Sequence, residues 1–195
     1  MTIRQRFLKG LYPLFVWVKK HSGEGKILQN KEAVSPPVSF YSLSAVLNDG
    51  KEFSFDQLRG KKVLLVNTAS DCGYTGQYAE LQKLYLESSP KLLIIGFPAN
   101  DFKEQEKGND EQIAAFCQVN FGVSFPLAKK TSVVDGPSQN KIFHWLTHKE
   151  ENGWNEKKPV WNFSKYLVDE QGVLTHFFEA AIEPLGAEIL AAIKS

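Results

Sequence analysis

The chain of 195 residues carries two cysteines and four histidines. Cys72 stands in "LLVNTASDCGYTGQ", residues 64–77, where an apolar run ends in a small polar loop and a helical pattern begins beyond Gln77. Open α/β sheets place their ligands at such a point, just past the carboxyl end of a buried strand. A helix start nearby favours negative charge, and the thiolate is the nucleophilic form of cysteine, so the position suits a reactive thiol. Gly73, Thr75 and Gly76 leave room for a substrate to approach. Free cysteine is also a common small core residue; the loop context favours the reactive reading. No C-x-x-C motif is present, which counts against a general thiol–disulfide oxidoreductase. His144 and His148 fall four residues apart on one predicted helix but lack an intervening glutamate and a close third ligand, so they are read as surface histidines. No metal and no other cofactor is expected.

The elements that must position Cys72 follow from the hydrophobic pattern. "KKVLLVNTA" and "KLLIIGFPA" read as strands buried on both faces, and "QYAELQKLYLES" between them as an amphipathic helix. Strand, helix and strand of this kind make a parallel βαβ unit. "FYSLSAVLNDGKEFSF" predicts a hairpin turning at Asn48–Gly50, and "SFDQLRGK" a capping box of Ser54 with Gln57. "NDEQIAAFCQVNFG" predicts a helix capped by Asn109 and Gln112 and closed near Gly122. "KTSVVDG" reads as a short strand and turn, and "SQNKIFHWLTHK" as another helix. "WNFSKYLVDEQGVLTHFFE" reads as a hairpin turning at Asp169–Gly172, and "PLGAEILAAIKS" as the last helix. That order predicts an α/β chain of thioredoxin-like fold, three-layer α/β/α around a central mixed sheet.

A hydrophobic fraction of 43% fits a globular chain with a real core, and a formal net charge of +1 gives no basis for an extended nucleic-acid surface. Two cysteines do not make a disulfide scaffold, and the expected place is the cytoplasm. The first 20 residues differ from the rest. Phe7, Leu8, Leu11, Leu14, Phe15 and Val18 fall near helical spacing, among Arg4, Arg6, Lys9, Lys19 and Lys20. The apolar run is far shorter than the roughly 20 residues of a membrane span, and no small-x-small cleavage site follows it. A helix resting on an anionic membrane surface and a helix packed on its own domain both fit this pattern. Pro13 limits any helix to two pieces or starts one. Residues 21–37 are polar, end in "VSPPVSF", and read as a linker.

"NTASDCGYTGQYAELQKLY", "GFPANDFKEQEKGNDEQI", "FCQVNFGVSFP" and "WNFSKYLVD", in that order, resemble the motifs of the glutathione peroxidase family. The resemblance runs from about Val38 to the C-terminus. It implies a peroxidase domain over residues 36–195 behind a basic amphipathic extension and linker over residues 1–35. It puts Cys72 in the place of the family's peroxidatic cysteine or selenocysteine, and Gln105, Trp161 and Asn162 in the places of its partners. These three side chains can each donate a hydrogen bond without carrying charge. Donors of this kind stabilise a thiolate and hold a peroxide oxygen as charge develops on it. Cys117 falls where some thioredoxin-dependent members carry a resolving cysteine. The resemblance implies reduction of hydrogen peroxide or of organic and lipid hydroperoxides to water or alcohols, with thioredoxin or glutathione as reductant. A peroxide sensor that relays its disulfide to a partner protein would use the same residues. The chain departs from the common pattern at Asp71, where many members carry lysine, at Ala99, where many carry cysteine, and at Asp101, commonly glutamine. A carboxylate at Asp71 is expected to raise the Cys72 pKa. "Asn162-Phe163-Ser164" also matches a glycosylation sequon, read as a chance match.

Overall fold

A computed structural model describes residues 2, 3, 5–8, 10–12, 14 and 26–195. The expectations placed on Arg4, Lys9, Pro13, Phe15, Val18, Lys19 and Lys20 lie outside the described residues.

The apolar run Val63–Val66 needs cover on both faces, and β4 (Lys62–Thr68) is buried along its whole length. It pairs in parallel with β5 (Leu92–Pro98) and antiparallel with β6 (Lys165–Val168). β6 turns back into β7 (Leu174–Phe178) through the expected Asp169–Gly172 turn. With β1 (Ile27–Gln29) at one edge, the sheet order is β1-β7-β6-β4-β5, a mixed sheet. The smaller hairpin of β2 (Ser44–Val46) and β3 (Glu52–Ser54) forms as the sequence predicts.

Alternation along β4 sorts its side chains between two cores. Leu64 and Val66 join one cluster with Leu81 and Leu84 of α1 (Gln77–Ser88), Ile113 and Cys117 of α2 (Asp110–Phe121), and Ile189 of α5 (Ala187–Lys194). Val63 and Leu65 join the other, with Phe143 and Trp145 of α3 (Lys141–Thr147), followed in the chain by the single turn α4 (Lys149–Asn152). Each fully buried aliphatic side chain contributes about 1.5–3 kcal/mol. Helices on both faces of one mixed sheet make the three-layer α/β/α arrangement of a thioredoxin-like fold.

Three local expectations change. Residues 27–29, read from their polar setting as linker, form β1 (Ile27–Gln29) on the sheet edge, held by antiparallel bonds to β7. Such a strand needs only backbone groups from its neighbour, so its side chains stay exposed and leave no hydrophobic signal. Ser54 and Gln57 cap a 3-10 turn, Phe55–Leu58, rather than an α-helix: the Ser54 hydroxyl accepts from Asp56 N and Gln57 Nε2 donates to Ser54 O. "KTSVVDG" forms no strand beyond a single bridge, Ser132 to Gln139. Asp101 holds that loop instead, accepting from Ser132 Oγ at 2.9 Å and Val133 N at 2.7 Å. The rings of His144 and His148 stack, with centroids 3.8 Å apart, and His144 Nδ1 lies 3.2 Å from Glu151.

Candidate active site

The chain leaves β4 at Thr68 and turns within four residues to Cys72 before α1 begins. Thr75 fixes this turn: its hydroxyl accepts from Cys72 N at 3.0 Å and lies within bonding distance of Ala69 O and Cys72 O. Tyr74 N donates to the Cys72 sulfur at 3.4 Å. Cys72 is fully buried rather than exposed at the sheet's edge. The space at Gly76 is not left for substrate. A Cβ there would lie 2.5 Å from the ring of Tyr12, which the N-terminal segment lays across this turn.

Two further loops meet Cys72. Gln105 follows Lys103 and Glu104, both in left-handed backbone (φ 52° and 51°), and Asn162 precedes Phe163 at φ 70°. Such non-glycine conformations are strained, persist only where surrounding structure imposes them, and gather at functional sites. Asn162 Nδ2 donates to Gln105 Oε1 at 3.0 Å, and Asp71 N donates to Gln105 O at 3.0 Å, so the three loops are tied together. Trp161 is half-buried, packs on Phe102, and lies under the Lys103 ammonium. Asn162 is fully buried, which closes it to glycosylation in the folded chain. The structure thus brings together all four residues that the resemblance assigned.

Asn67, which the sequence analysis missed, holds the Trp161–Asn162 loop. Its Nδ2 donates to Trp161 O, its Oδ1 accepts from Ser164 N, and its backbone carbonyl accepts from Phe163 N. Its one signal is a lone amide inside an apolar strand, "LLVNTA". Asn67→Leu leaves the buried Ser164 N–H unpaired, at about 1–3 kcal/mol, and takes from Trp161 O one of its two donors, the other being Ser164 Oγ at 3.0 Å. It should therefore cost a few kcal/mol in urea unfolding and lower peroxide turnover; unchanged stability and rate would contradict this clamp.

Burial pushes the Cys72 thiol up. Donation from Tyr74 N, Trp161 and Asn162 opposes that, and the Asp71 carboxylate adds a smaller upward push in the direction the sequence predicts. A second acid lies close by. Glu106 is 1% exposed and accepts from Ser70 Oγ at 2.9 Å. Burial raises its pKa from 4.5 to about 7, against the Ser70 hydrogen bonds and Lys130. The unfolded carboxyl ionises near 4.5 while the folded one resists until about 7. Its contribution to stability is therefore complete below 4.5 and lost as pH rises through 7, a change of about 3 kcal/mol. Glu106→Gln should gain about that much on the wild type between pH 4.5 and 8 in urea midpoints; a difference independent of pH would refute it. Ser70, Asp71, Gln105 and Glu106 line one side of a cavity of about 420 Å³, and Thr2 and Gln5 of the N-terminal segment line another.

Cys117 lies on the inner face of α2, fully buried and a free thiol, as is Cys72. Burial pushes its pKa up to about 12, with the Tyr78 hydroxyl lowering it and Glu106 raising it further. α2 has the predicted caps: Asn109 and Gln112 form a reciprocal capping box, and Gly122 closes the helix in left-handed backbone at φ 65°.

Residues 40–147 match the family model of glutathione peroxidase. The chain is 44% identical over 147 residues to glutathione peroxidase-like peroxiredoxin 2 of Saccharomyces cerevisiae, covering 75% of this chain and 90% of the yeast protein. It is 40% identical over 147 residues to the glutathione peroxidase homolog BsaA of Staphylococcus epidermidis, covering 75% and 92%. Among solved structures, apo Trgpx aligns with a TM-score of 0.61 at 31% identity over 82% of this chain and 97% of that one. With the site's three loops and these likenesses together, the chain belongs to the glutathione peroxidase family and is a peroxidase oxidoreductase that reduces peroxide at the expense of a thiol reductant.

Proposed function

We propose that Cys72 is the peroxidatic nucleophile, that Gln105, Trp161 and Asn162 are its catalytic partners, and that Cys117 resolves the oxidised form. The observation that carries this reading is the tying of the Gln105 and Asn162 loops to the Cys72 turn, Asn162 Nδ2 donating to Gln105 Oε1 and Asp71 N to Gln105 O, each at 3.0 Å. The Cys72 thiolate attacks one peroxide oxygen and the O–O bond breaks. Sulfur loses two electrons and becomes sulfenic acid, while the departing oxygen takes the proton given up by the thiol and leaves as water or an alcohol. Uncharged donors spread over the sulfur and the departing oxygen stabilise negative charge in both states without an ion to desolvate. The Cys117 thiolate then attacks the sulfenic sulfur, water leaves, and a disulfide forms that a dithiol reductant returns to two thiols.

Thioredoxin is the reductant of this reading, because a dithiol cleaves an intramolecular disulfide in one two-electron exchange. The cytoplasm, where thiols are kept reduced, suits that cycle. Steady-state peroxide consumption tests it. Thioredoxin with its reductase should sustain turnover and glutathione should not. Turnover with glutathione at an equal or greater rate would overturn the choice, and a disulfide passed to a partner protein without thioredoxin turnover would favour the sensor.

A further inference from the structure

We propose that the N-terminal helical segment is a docking surface for an anionic lipid bilayer, seated beside the cavity at Asp71 and Gln105. The segment is helical at residues 3, 5–8, 10–12 and 14. Its two faces are turned the opposite way from a helix that packs on its own domain. Gln5, Leu8 and Tyr12, at helical spacing, face the domain and are half-buried. Tyr12 Oη donates to Glu80 Oε1 at 2.8 Å and its ring fills the space over Gly76, while Thr2 and Gln5 border the cavity at Asp71 and Gln105. The apolar stripe points outward: Ile3 is 89% exposed, Phe7 66%, Leu11 39% and Leu14 58%. These four positions, at i, i+4, i+8 and i+11, form one continuous face. A terminal helix left in water lowers its free energy by turning such a face onto the protein. Here a polar and aromatic anchor fixes the opposite orientation, leaving the apolar stripe for an outside surface.

Charge identifies that surface. Residues 1–20 hold Arg4, Arg6, Lys9, Lys19 and Lys20 and no acidic residue, whereas the whole chain is near neutral at +1. Five like charges in the segment's sequence disfavour its pairing with a second copy of itself. They are attracted to phosphatidylserine headgroups at about 1 kcal/mol each, while the apolar stripe enters the acyl boundary. The segment's apolar run, residues 11–18, is far shorter than the roughly 20 residues of a membrane span, which fits an interfacial contact. It orients the cavity at Asp71 and Gln105 toward the lipid surface. In position this deepens the peroxidase reading, but its test does not depend on turnover.

The full chain is sedimented with vesicles of phosphatidylcholine containing about 30% phosphatidylserine, and with phosphatidylcholine alone, at low and high salt. Binding is expected on the anionic vesicles and should weaken with salt. Phe7→Gln and Leu14→Gln should each weaken it about tenfold, and the pair about 100-fold, with unchanged circular dichroism and melting temperature. Arg6→Ser should weaken binding about fivefold on the anionic vesicles. Failure of the wild type to bind anionic vesicles would overturn the proposal, as would full binding by the folded double variant. A dimer in analytical ultracentrifugation that the double variant splits would assign the face to a second copy and overturn it equally. If peroxide turnover failed while binding followed this pattern, only the peroxidase reading of Cys72 would fall.

Discussion

Cys72→Ser should lower peroxide consumption by at least about 10⁴-fold, to the uncatalysed background, because removing the nucleophile of an assembled site forfeits most of its rate advantage. The substitution exchanges sulfur for oxygen in a fully buried position, so Tyr74 N keeps an acceptor and the loop keeps its Thr75 bonds. The fold should survive, with a melting temperature within a few degrees of the wild type. A hydroxyl at that place remains protonated at neutral pH and attacks O–O bonds poorly, which is why loss of activity would report chemistry rather than unfolding. The donors can be tested in the same assay. Burial already holds the Cys72 pKa above its ordinary value, and Trp161 is one of the groups opposing burial. Trp161→Phe should therefore move the pH midpoint of thiol alkylation upward and slow peroxide attack at pH 7. A downward shift, or a Cys72→Ser protein that retains substantial activity when pure, would remove the assignment.

What the sequence shows and hides about this site follows from the range of the interactions. The two central strands and α1 are legible because unbroken apolar runs and helical spacing are local properties, and burial on both faces of a sheet imposes them. The Cys72 loop is legible from the same pattern, since it is what remains between a buried strand and a helix. Gln105 is different. It lies between two glutamates in a loop, and only its distant pairing with Asn162 makes it part of a site, so residue spacing alone carries no trace of it. Family resemblance supplied what local pattern lacks. The fate of Glu106 is hidden for the same reason: an acid in a polar run reads as solvated, yet folding leaves it 1% exposed. Gly76 misleads in the other direction. Its missing side chain does mark a close approach, but the group that approaches is Tyr12, more than sixty residues earlier in the chain.

Peroxide-treated wild type should contain a Cys72–Cys117 disulfide, and α2 must open to form it. A resolving thiol attacks as thiolate, yet in the closed structure Cys117 is fully buried with a pKa near 12, leaving on the order of one thiolate in 10⁵ at pH 7. A disulfide also demands particular Cα and Cβ placements, and Cys117, held in a regular helix, gains the freedom to adjust to them only when that helix loosens. Both obstacles disappear if α2 unwinds, since exposure lowers the thiol pKa and frees the backbone. The helix is built to do so at small cost: of its twelve residues only Ile113 and Cys117 are buried, against five in α1. Its capping box is then a rate control. Asn109→Ala removes about 1 kcal/mol of helix stability and should speed disulfide formation about fivefold, with no effect on formation of the sulfenic acid. Stopped-flow fluorescence can separate the two phases. Cys117→Ser should consume one equivalent of peroxide and then stall with thioredoxin. Mass spectrometry showing a free Cys117 and only a glutathione adduct on Cys72, or an Asn109→Ala protein that resolves more slowly, would rule out resolution through an opened α2.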